Sequence, residues 1–344
     1  MKRTVIRCLR IYCVVGLLVA LALADSAPSG YHLIQTIQIG AAEGDGEYFD
    51  YITVDDADRR IYIAHGTEVK VLNADDLSVV GTIVGFKRCH GVLVVRELGR
   101  GFVTDGDAGN VAVFSTESLK VTRLIKTYPD ADGIVYDPAS KLIFAFNGDS
   151  KNASVIDPVK ETVVKTLDMG GGPEQSVADG QGTIYNNNEE TSEIVVIDTR
   201  ALIVKSRWPV APSGEPVAMA MDREHKLLFS AGRNPQMLLM VNTDNGKVLQ
   251  SLPITAGVDT TIYDSETSTV FCSTRQGMIH VFHKNSQNRL SVVGNIRTQY
   301  GAKTMAMDPK SHNLILVTSD FTASGTRGER HAIKGTARVL IYGR

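Results

Sequence analysis

One turn-forming position recurs along the chain at a nearly constant interval, and this repeat constrains the fold more than any other feature. The spacing between successive occurrences is 40 to 44 residues. The position is occupied by Asp55, Val95, Asp137, Asp179, Asp222, Asp264 and Asp308. A single unit of this length cannot bury its apolar faces without neighbours, so the pattern predicts a repeat architecture.

Each unit has the pattern of four short strands, most clearly between Asp132 and Leu167. The runs there are four to six residues long and rich in β-branched and aromatic side chains. Turn sequences such as Asp137-Pro138 separate them. A four-stranded unit of about 42 residues is typical of a propeller blade. The sequence therefore predicts an all-β fold, a seven-bladed β-propeller of four-stranded blades.

The last unit has no fourth strand after its third-strand sequence at 338–342. The segment 31–39 precedes the first unit and has the pattern of the missing strand. We expect it to complete the last blade and close the ring, which removes an exposed sheet edge. The repeat continues without a linker, so 31–344 is predicted to be one domain. Its expected blades are 48–83, 89–125, 130–169, 172–210, 215–254, 257–296 and 302–344.

Residues 1–24 have the pattern of a secretory signal peptide. Four basic residues lie within the first ten, an apolar run of 14 residues follows at 11–24, and Ala22-Leu23-Ala24 forms a small-residue cleavage site. A membrane-spanning helix needs roughly 17–25 apolar residues, so the run is too short for an anchor. We expect export to the periplasm or the extracellular space, cleavage near Ala24, and no membrane anchor afterwards.

Removal of residues 1–24 takes away four positive charges, which changes the formal charge from −2 to −6. An acidic mature chain argues against nucleic acid as a partner, because such binding depends on neutralising phosphates. Only Cys89 and Cys272 remain, in the second and sixth predicted blades. These blades are too far apart for the ~7 Å Cα separation that a disulfide tolerates. We expect both thiols to be free and the mature chain to be a monomer.

The second strands resemble the Y-V-T-N tetrapeptide of the YVTN (YncE-like) bacterial β-propeller repeats. They read Y-I-A-H (62–65), F-V-T-D (102–105), F-A-F-N (144–147), I-Y-N-N (184–187), F-S-A-G (229–232), F-C-S-T (271–274) and I-L-V-T (315–318). The resemblance covers 31–344, although only two of the seven tetrapeptides keep the final Asn. It implies an exported seven-bladed propeller. It implies no particular chemistry, since members range from binding proteins to surface-layer and quinoprotein-associated partners.

The starts of the first strands and the ends of the second strands are expected on one face, around the mouth of the central channel. Five residues before each repeat position stand Asp50, His90, Asp132, Glu174, Val217, Asp259 and Lys303. These seven residues are termed the mouth ring, and the face that carries them is the funnel face. Carboxylates gathered around one axis repel one another, which raises pKa values or favours a bound cation. A water-filled channel lined with polar groups is the plainer alternative.

The second strands end in His65, Asp105, Asn147, Asn187, Gly232, Thr274 and Thr318, and Arg233 and Arg275 follow two of them. Asp132 and Glu174 begin neighbouring blades, which also contain Asn147 and Asn187. Two carboxylates and two amides are hard oxygen ligands that suit Ca²⁺ or Mg²⁺, the one cofactor that the sequence indicates. His90 offers an imidazole for general-base work.

Two functions follow from these patterns. The first is an exported binding or scaffold protein that engages a small ligand or a protein partner on the funnel face, and the absence of any catalytic signature favours it. Its ligand-binding residues would be Asp50, His65, Asp105, Asp259, Arg233, Arg275 and Lys303. The alternative is a divalent-metal-dependent hydrolase or lyase, similar to lactonases. Its metal on the axis would be held by Asp132, Asn147, Glu174 and Asn187, with His90 as the base.

One long insertion, 319–336, interrupts the last blade between its second and third strands. It contains the basic residues Arg327, Arg330, His331 and Lys334. Connections of this length in compact domains are often functional, and a solvated surface loop is the alternative.

Overall fold

The computed structural model describes residues 30–43, 47–323 and 330–344. The expected signal peptide at 1–24 lies outside the described residues. Within the described part, the regular structure consists of β-strands and one 3₁₀ turn, Arg96–Leu98. No helix in this part is long and apolar enough to cross a membrane.

The strands form seven four-stranded antiparallel sheets, which confirms the predicted seven-bladed propeller. The chain begins with β1 (His32–Gln38). Blade one contains β2 (Phe49–Asp55), β3 (Arg60–His65), β4 (Glu68–Asn73) and β5 (Val79–Val84). Blade two contains β6 (Cys89–Val95), β7 (Arg100–Asp105), β8 (Asn110–Ser115) and β9 (Val121–Lys126). Blade three contains β10 (Ala131–Asp137), β11 (Leu142–Asn147), β12 (Asn152–Asp157) and β13 (Thr162–Asp168).

The remaining blades follow the same order along the chain. Blade four contains β14 (Pro173–Ala178), β15 (Thr183–Asn188), β16 (Glu193–Asp198) and β17 (Ile203–Pro209). Blade five contains β18 (Pro216–Asp222), β19 (Leu227–Arg233), β20 (Gln236–Asn242) and β21 (Val248–Pro253). Blade six contains β22 (Val258–Asp264), β23 (Thr269–Thr274), β24 (Met278–Lys284) and β25 (Leu290–Arg297). Blade seven contains β26 (Met305–Met307), β27 (Leu314–Thr318) and β28 (Arg338–Gly343).

The ring closes as the sequence predicts. Strand β1 supplies the fourth strand of blade seven, whose order is β1-β28-β27-β26. It pairs antiparallel with β28, from His32 opposite Gly343 to Gln38 opposite Arg338. The outer edge of β28 is thereby paired, so the seventh blade exposes no more backbone than the other six.

The apolar core lies between neighbouring blades. One cluster joins Phe144 and Phe146 of blade three to Ile184 and Val195 of blade four. Another joins blades seven and one across the closure. The second and third strands are covered on both faces, which is why they are continuous apolar runs and not alternating ones. Burial of one such phenylalanine side chain contributes about 2–3 kcal/mol.

Four of the repeated turn acids each link their blade to the next at the lower face, opposite the mouth. These four, termed the lower acids, are Asp137, Asp222, Asp264 and Asp308. Their partners in the neighbouring blade are Thr199 (2.6 Å), Lys284 (3.3 Å), His312 (2.9 Å) and Arg59 (2.8 Å), respectively. Burial acts to raise the pKa of Asp308, but hydrogen bonds from Arg59 and Ser311 lower it to about 2. Asp308 is therefore a structural anion.

Cys89 in β6 and Cys272 in β23 are buried free thiols. Burial raises the pKa of each thiol to about 12. Neither carries appreciable thiolate at neutral pH, so neither is a reactive nucleophile.

Candidate functional site

The mouth ring is shaped by a β-bulge at the start of the first strands. In blade one Phe49 pairs with His65 and Ile52 pairs with Ile63, so Asp50 and Tyr51 share the space opposite one residue. The same register shift occurs at the start of β6, β10, β14, β18 and β22. A bulge re-aims the side chains of its strand. It brings the ring residue and the one after it to the channel.

Close packing of neighbouring blades fixes the bulge in blade two. A Cβ on Gly91, which follows His90, would lie 2.8 Å from Ile134 and 2.9 Å from the carbonyl oxygen of Asp132. Only glycine allows this approach. The same carbonyl accepts a hydrogen bond of 2.5 Å from Thr104, so the backbone of the ring is held by the neighbouring blade.

Asp50, His90 and Asp132 form the densest ionisable cluster. The Nδ1 atom of His90 lies 2.7 Å from Asp50 Oδ2 and 3.2 Å from Asp132 Oδ1. Tyr48 donates to Asp50 at 2.6 Å. Burial lowers the pKa of His90, but Asp132 and Asp50 outweigh it and raise the pKa to about 10. The cluster therefore contains an imidazolium between two carboxyl groups at neutral pH.

A second group of charges continues the ring on the other side of the axis. Lys303 Nζ lies 2.5 Å from Asp259, and Arg233 lies 2.7 Å from Asp259 and 2.9 Å from Glu189. Burial acts to lower the pKa of Lys303, but Asp259 and Asp50 raise it above its usual value. Lys303 thereby joins the two groups across blades seven and one.

Charge sign alternates around most of the mouth. Lys303, Asp50, His90 and Asp132 alternate in order, and Arg233 supplies the cation at blade five, where the ring residue is Val217. Seven positions cannot alternate completely. The break lies between Asp132 and Glu174, two acids in adjacent blades. Burial and then Asp132 raise the pKa of Glu174 well above its usual value.

The layer below the ring contains Tyr51, a residue that sequence analysis missed. Tyr51 is half-buried and lines a channel cavity of about 150 Å³ together with Gln175. Burial, followed by the charges of Asp132 and Asp50, raises its pKa well above the usual value. The phenol is therefore neutral and can donate a hydrogen bond toward the acids. Only the bulge brings it there, because strict alternation would turn it away from Asp50.

Two predicted ligand-binding residues have structural roles. His65 is fully buried, and its Nε2 lies 2.5 Å from Glu47, a residue that sequence analysis missed. Asp105 accepts the backbone N–H groups of Lys87 at 3.0 Å and Arg88 at 2.9 Å. Both side chains are buried and make hydrogen bonds within the fold, so neither is exposed at the mouth.

The predicted oxygen site of two acids and two amides is not assembled. Asn187 is fully buried, donates to the carbonyl of Ala218 at 3.0 Å and accepts from Ser230 at 2.9 Å. Asn147 is also fully buried and donates to Asn152 at 2.7 Å. The amides point between strands and blades, because these positions near the ends of the second strands lie inside the sheet and outside the channel.

A different set could hold a metal ion. Asp50, His90 and Asp132 each offer a ligand atom, and these atoms lie within 4.8 Å of one another; no other such group of three occurs among the described residues. The imidazole must first lose its proton, which the raised pKa opposes. Asp132 is thus the one predicted metal ligand that falls in this set.

The comparisons with known proteins establish the fold. A chain of the hydrazine synthase of Kuenenia stuttgartiensis is similar, with 15% sequence identity and a TM-score of 0.71, over 81% of this chain and 95% of that one. A chain in the crystal structure of the mitotic checkpoint complex is similar, with 13% identity and a TM-score of 0.74, over 100% of this chain and 99% of that one. No protein-family model and no curated protein matches the sequence.

The protein is therefore a seven-bladed β-propeller with a charged channel mouth, a fold compatible with a binding or scaffold role. Such low identities carry no function across, and the resemblance to the YVTN repeats remains a prediction.

Proposed function

We propose that this protein is an exported binding protein whose funnel face engages a small ligand or a protein partner. A cationic group of that ligand or partner would lie between Asp132 and Glu174. The observation that carries the proposal is the break in charge alternation at these two acids. Asp50, Asp132 and Asp259 each lie within 3.2 Å of a cationic group, whereas Glu174 has no ion pair among the described residues.

The energetics of the break favour a bound cation. Two acids that share a partly dehydrated space cannot both ionise without cost, which is why the pKa of Glu174 is raised. A cation placed between them would displace the proton and remove the repulsion. Because the cation would bind the folded state and not the unfolded state, it would stabilise the folded protein by mass action.

The resemblance to the YVTN repeats supports export and a binding role, since it implies exported propellers. The name of the mitotic checkpoint complex structure indicates that the similar chain in it is part of a protein complex. This is consistent with a protein partner for the present propeller. Export is tested by mass spectrometry of the secreted or periplasmic protein, which should begin after Ala24. A chain that retains residues 1–24 would contradict export.

The binding proposal is tested with the variant Glu174→Gln and two probes, calcium and 1,4-diaminobutane. Calorimetric titration of the wild-type protein should show binding of at least one probe, with weaker binding at low pH because a proton must leave. Glu174→Gln should weaken that binding about tenfold or more. The matched control is Glu224→Gln, which removes an exposed acid at the lower face and should leave binding unchanged. Equal binding by all three proteins would contradict the proposal.

The alternative, a divalent-metal-dependent hydrolase or lyase acting on a lactone-like substrate, is favoured by one observation. This is the convergence of Asp50, His90 and Asp132 within 4.8 Å. Metal analysis of the purified mature protein distinguishes the two functions. About one tightly bound metal ion per chain, with lactone hydrolysis that a chelator abolishes, would favour the enzyme. Metal-free protein that still binds the diamine would favour the binding protein.

A further inference from the structure

A second site lies on the funnel face, in a cleft between the mouth and the insertion of blade seven. The cleft has a volume of about 380 Å³, within the range of roughly 300–1,000 Å³ that small-molecule sites occupy. Arg88, Arg275 and Arg330 line it, together with the aromatic residues Tyr300 and Phe321. None of these residues belongs to the break between Asp132 and Glu174.

The cleft carries more positive charge than its surroundings neutralise. Within the described part of the chain, the guanidinium of Arg275 has no hydrogen bond or ion pair, and its charge acts to lower the pKa of the neighbouring Lys303. The nearest carboxylate to Arg88 in an ion pair is that of Asp107 at 3.9 Å, and the Arg88 side chain is 42% exposed. The excess charge is therefore available to a ligand.

The acid in the wall of the cleft does not pair with these arginines. Glu47 is buried, and its two oxygens are engaged by His65 at 2.5 Å and by the backbone N–H of Gly335 at 2.6 Å. Lys303 at the floor is matched by Asp259. The three arginines are thus left as the groups that face an incoming molecule.

Aromatic rings hold two of the arginines in place. The guanidinium of Arg88 lies 4.3 Å from the ring centre of Tyr48, and that of Arg330 lies 4.6 Å from the ring centre of Tyr300. Stacking occupies the face of the planar group and leaves its N–H edges free. A free edge matches the two oxygens of a carboxylate or phosphate.

The described ends of the insertion, 319–323 and 330–336, pair with each other beside the cleft. Phe321 forms a β-bridge with Ala332, and its ring packs edge-on against Tyr300 at 5.0 Å. A Cβ on Gly301 would lie 2.3 Å from the Phe321 ring, so this approach requires glycine. The result is an apolar wall opposite the cationic one.

We propose that this cleft binds a small organic anion, in which a carboxylate or phosphate group is attached to a flat apolar body. The oxyanion pairs with Arg275 and the edges of Arg88 and Arg330. The apolar body packs against Tyr300 and Phe321. The site is independent of the proposed cation site, because it uses other residues and the opposite charge.

The probes for the test are terephthalate, phenyl phosphate, inorganic phosphate and benzyl alcohol. The two aromatic anions should bind the wild-type protein in calorimetric titration. Inorganic phosphate should bind at least about tenfold more weakly because it has no apolar body, and benzyl alcohol should not bind. A preference for terephthalate or for phenyl phosphate identifies the oxyanion as a carboxylate or a phosphate.

The variant Arg275→Gln should weaken binding of the aromatic anions about tenfold or more. Because this side chain has no partner in the described residues, its loss should leave the melting temperature unchanged or slightly raised. Arg330→Gln serves as a second variant with the same expected direction. The matched control is Arg289→Gln, an exposed arginine of blade six at the lower face, which should bind as the wild type does.

The proposal is overturned if no aromatic anion binds, if benzyl alcohol binds as well as terephthalate, or if Arg275→Gln and Arg289→Gln bind equally. Glu174→Gln separates the two sites. It should reduce binding of 1,4-diaminobutane and leave terephthalate binding intact, so either site can fail alone.

Discussion

The acids at the two ends of the first strands differ in what surrounds them, although they are only five residues apart in each repeat. At the lower face, Asp308 accepts two bonds from Arg59 at 2.8 and 2.9 Å, and its pKa is lowered to about 2. At the mouth, Glu174 has no ion pair among the described residues, and burial, followed by the charge of Asp132, raises its pKa. A partner in the next blade converts an acid into a structural link. An acid without one is left to a ligand or a proton.

The largest effect is expected from Asp308→Asn, which tests the structural end of this comparison. The change removes the anion that joins blade seven to blade one and leaves Arg59 partly unpaired. We expect the free energy of unfolding to fall by about 3 kcal/mol, measured by urea denaturation. The control is Asp56→Asn, which removes an exposed acid that also pairs with Arg59. It should lower the free energy of unfolding by less than about 1 kcal/mol. Equal costs for the two variants would mean that the lower acids do not link the blades.

His90→Gln is expected to have the next largest effect. It tests the part of the mouth ring in which a cation, His90, lies between two acids. The variant leaves Asp50 and Asp132 facing each other without their shared cation. Stability at pH 7 should fall by about 2 kcal/mol, and calcium should restore part of the loss because it can replace the imidazolium. His283→Gln, at an exposed position of β24, is the control and should change neither quantity. A calcium response equal to that of the wild type would refute this description of the cluster.

The free energy of unfolding should decrease as pH rises, because the mouth contains two groups whose pKa values are raised in the folded protein. The pKa of His90 is about 10 in the folded protein, against about 6.5 when unfolded, so its contribution is complete below pH 6.5 and is lost as pH rises toward 10. The raised pKa of Glu174 acts in the same direction. The wild type should lose on the order of 1–2 kcal/mol between pH 6.5 and 8.5, before the cysteines titrate. His90→Gln should flatten this slope, and stability that rises with pH would contradict the assignment.

Glu174→Gln is expected to have the smallest effect on stability, and it should stabilise the folded protein. Removing the unmatched acid relieves repulsion with Asp132, so stability at pH 8 should rise by roughly 0.5 kcal/mol. The measurement is thermal unfolding at a series of pH values from 5 to 9, and the gain should grow as pH rises, because the ionised fraction of wild-type Glu174 increases with pH. A loss of stability at every pH value would show that this carboxyl group is structural, as the lower acids are.

Most of the fold follows from the sequence because its determinants are local and repeated. The strand lengths, the turn residues and the 40 to 44-residue spacing each predict the blade. The closing role of 31–39 follows from counting strands. The positions of the ring residues follow as well, since six of them occupy the second place of a first strand.

The pairing at the mouth was decided by the tertiary structure. Sequence analysis grouped Asp132 with Asn147 and Asn187 because they are close in the repeat. The structure groups Asp132 with His90 and Asp50, which come from two other blades. Asn187 instead bonds Ala218 and Ser230 of the next blade. Nothing in the sequence of one blade specifies what its neighbour presents.

The propeller, its closure, the ring of ionisable residues around the mouth and the adjacent acids Asp132 and Glu174 all follow from the amino-acid sequence. Three further features are seen only in the folded structure: the bulges that bring Tyr51 to the channel, the cluster of Asp50, His90 and Asp132, and the arginine cleft under the insertion. The physical reason is the distance along the chain between the residues that interact. Strands and turns depend on neighbouring residues in the chain, whereas a charge at the axis is stabilised or left unmatched by side chains from several blades, far away in sequence.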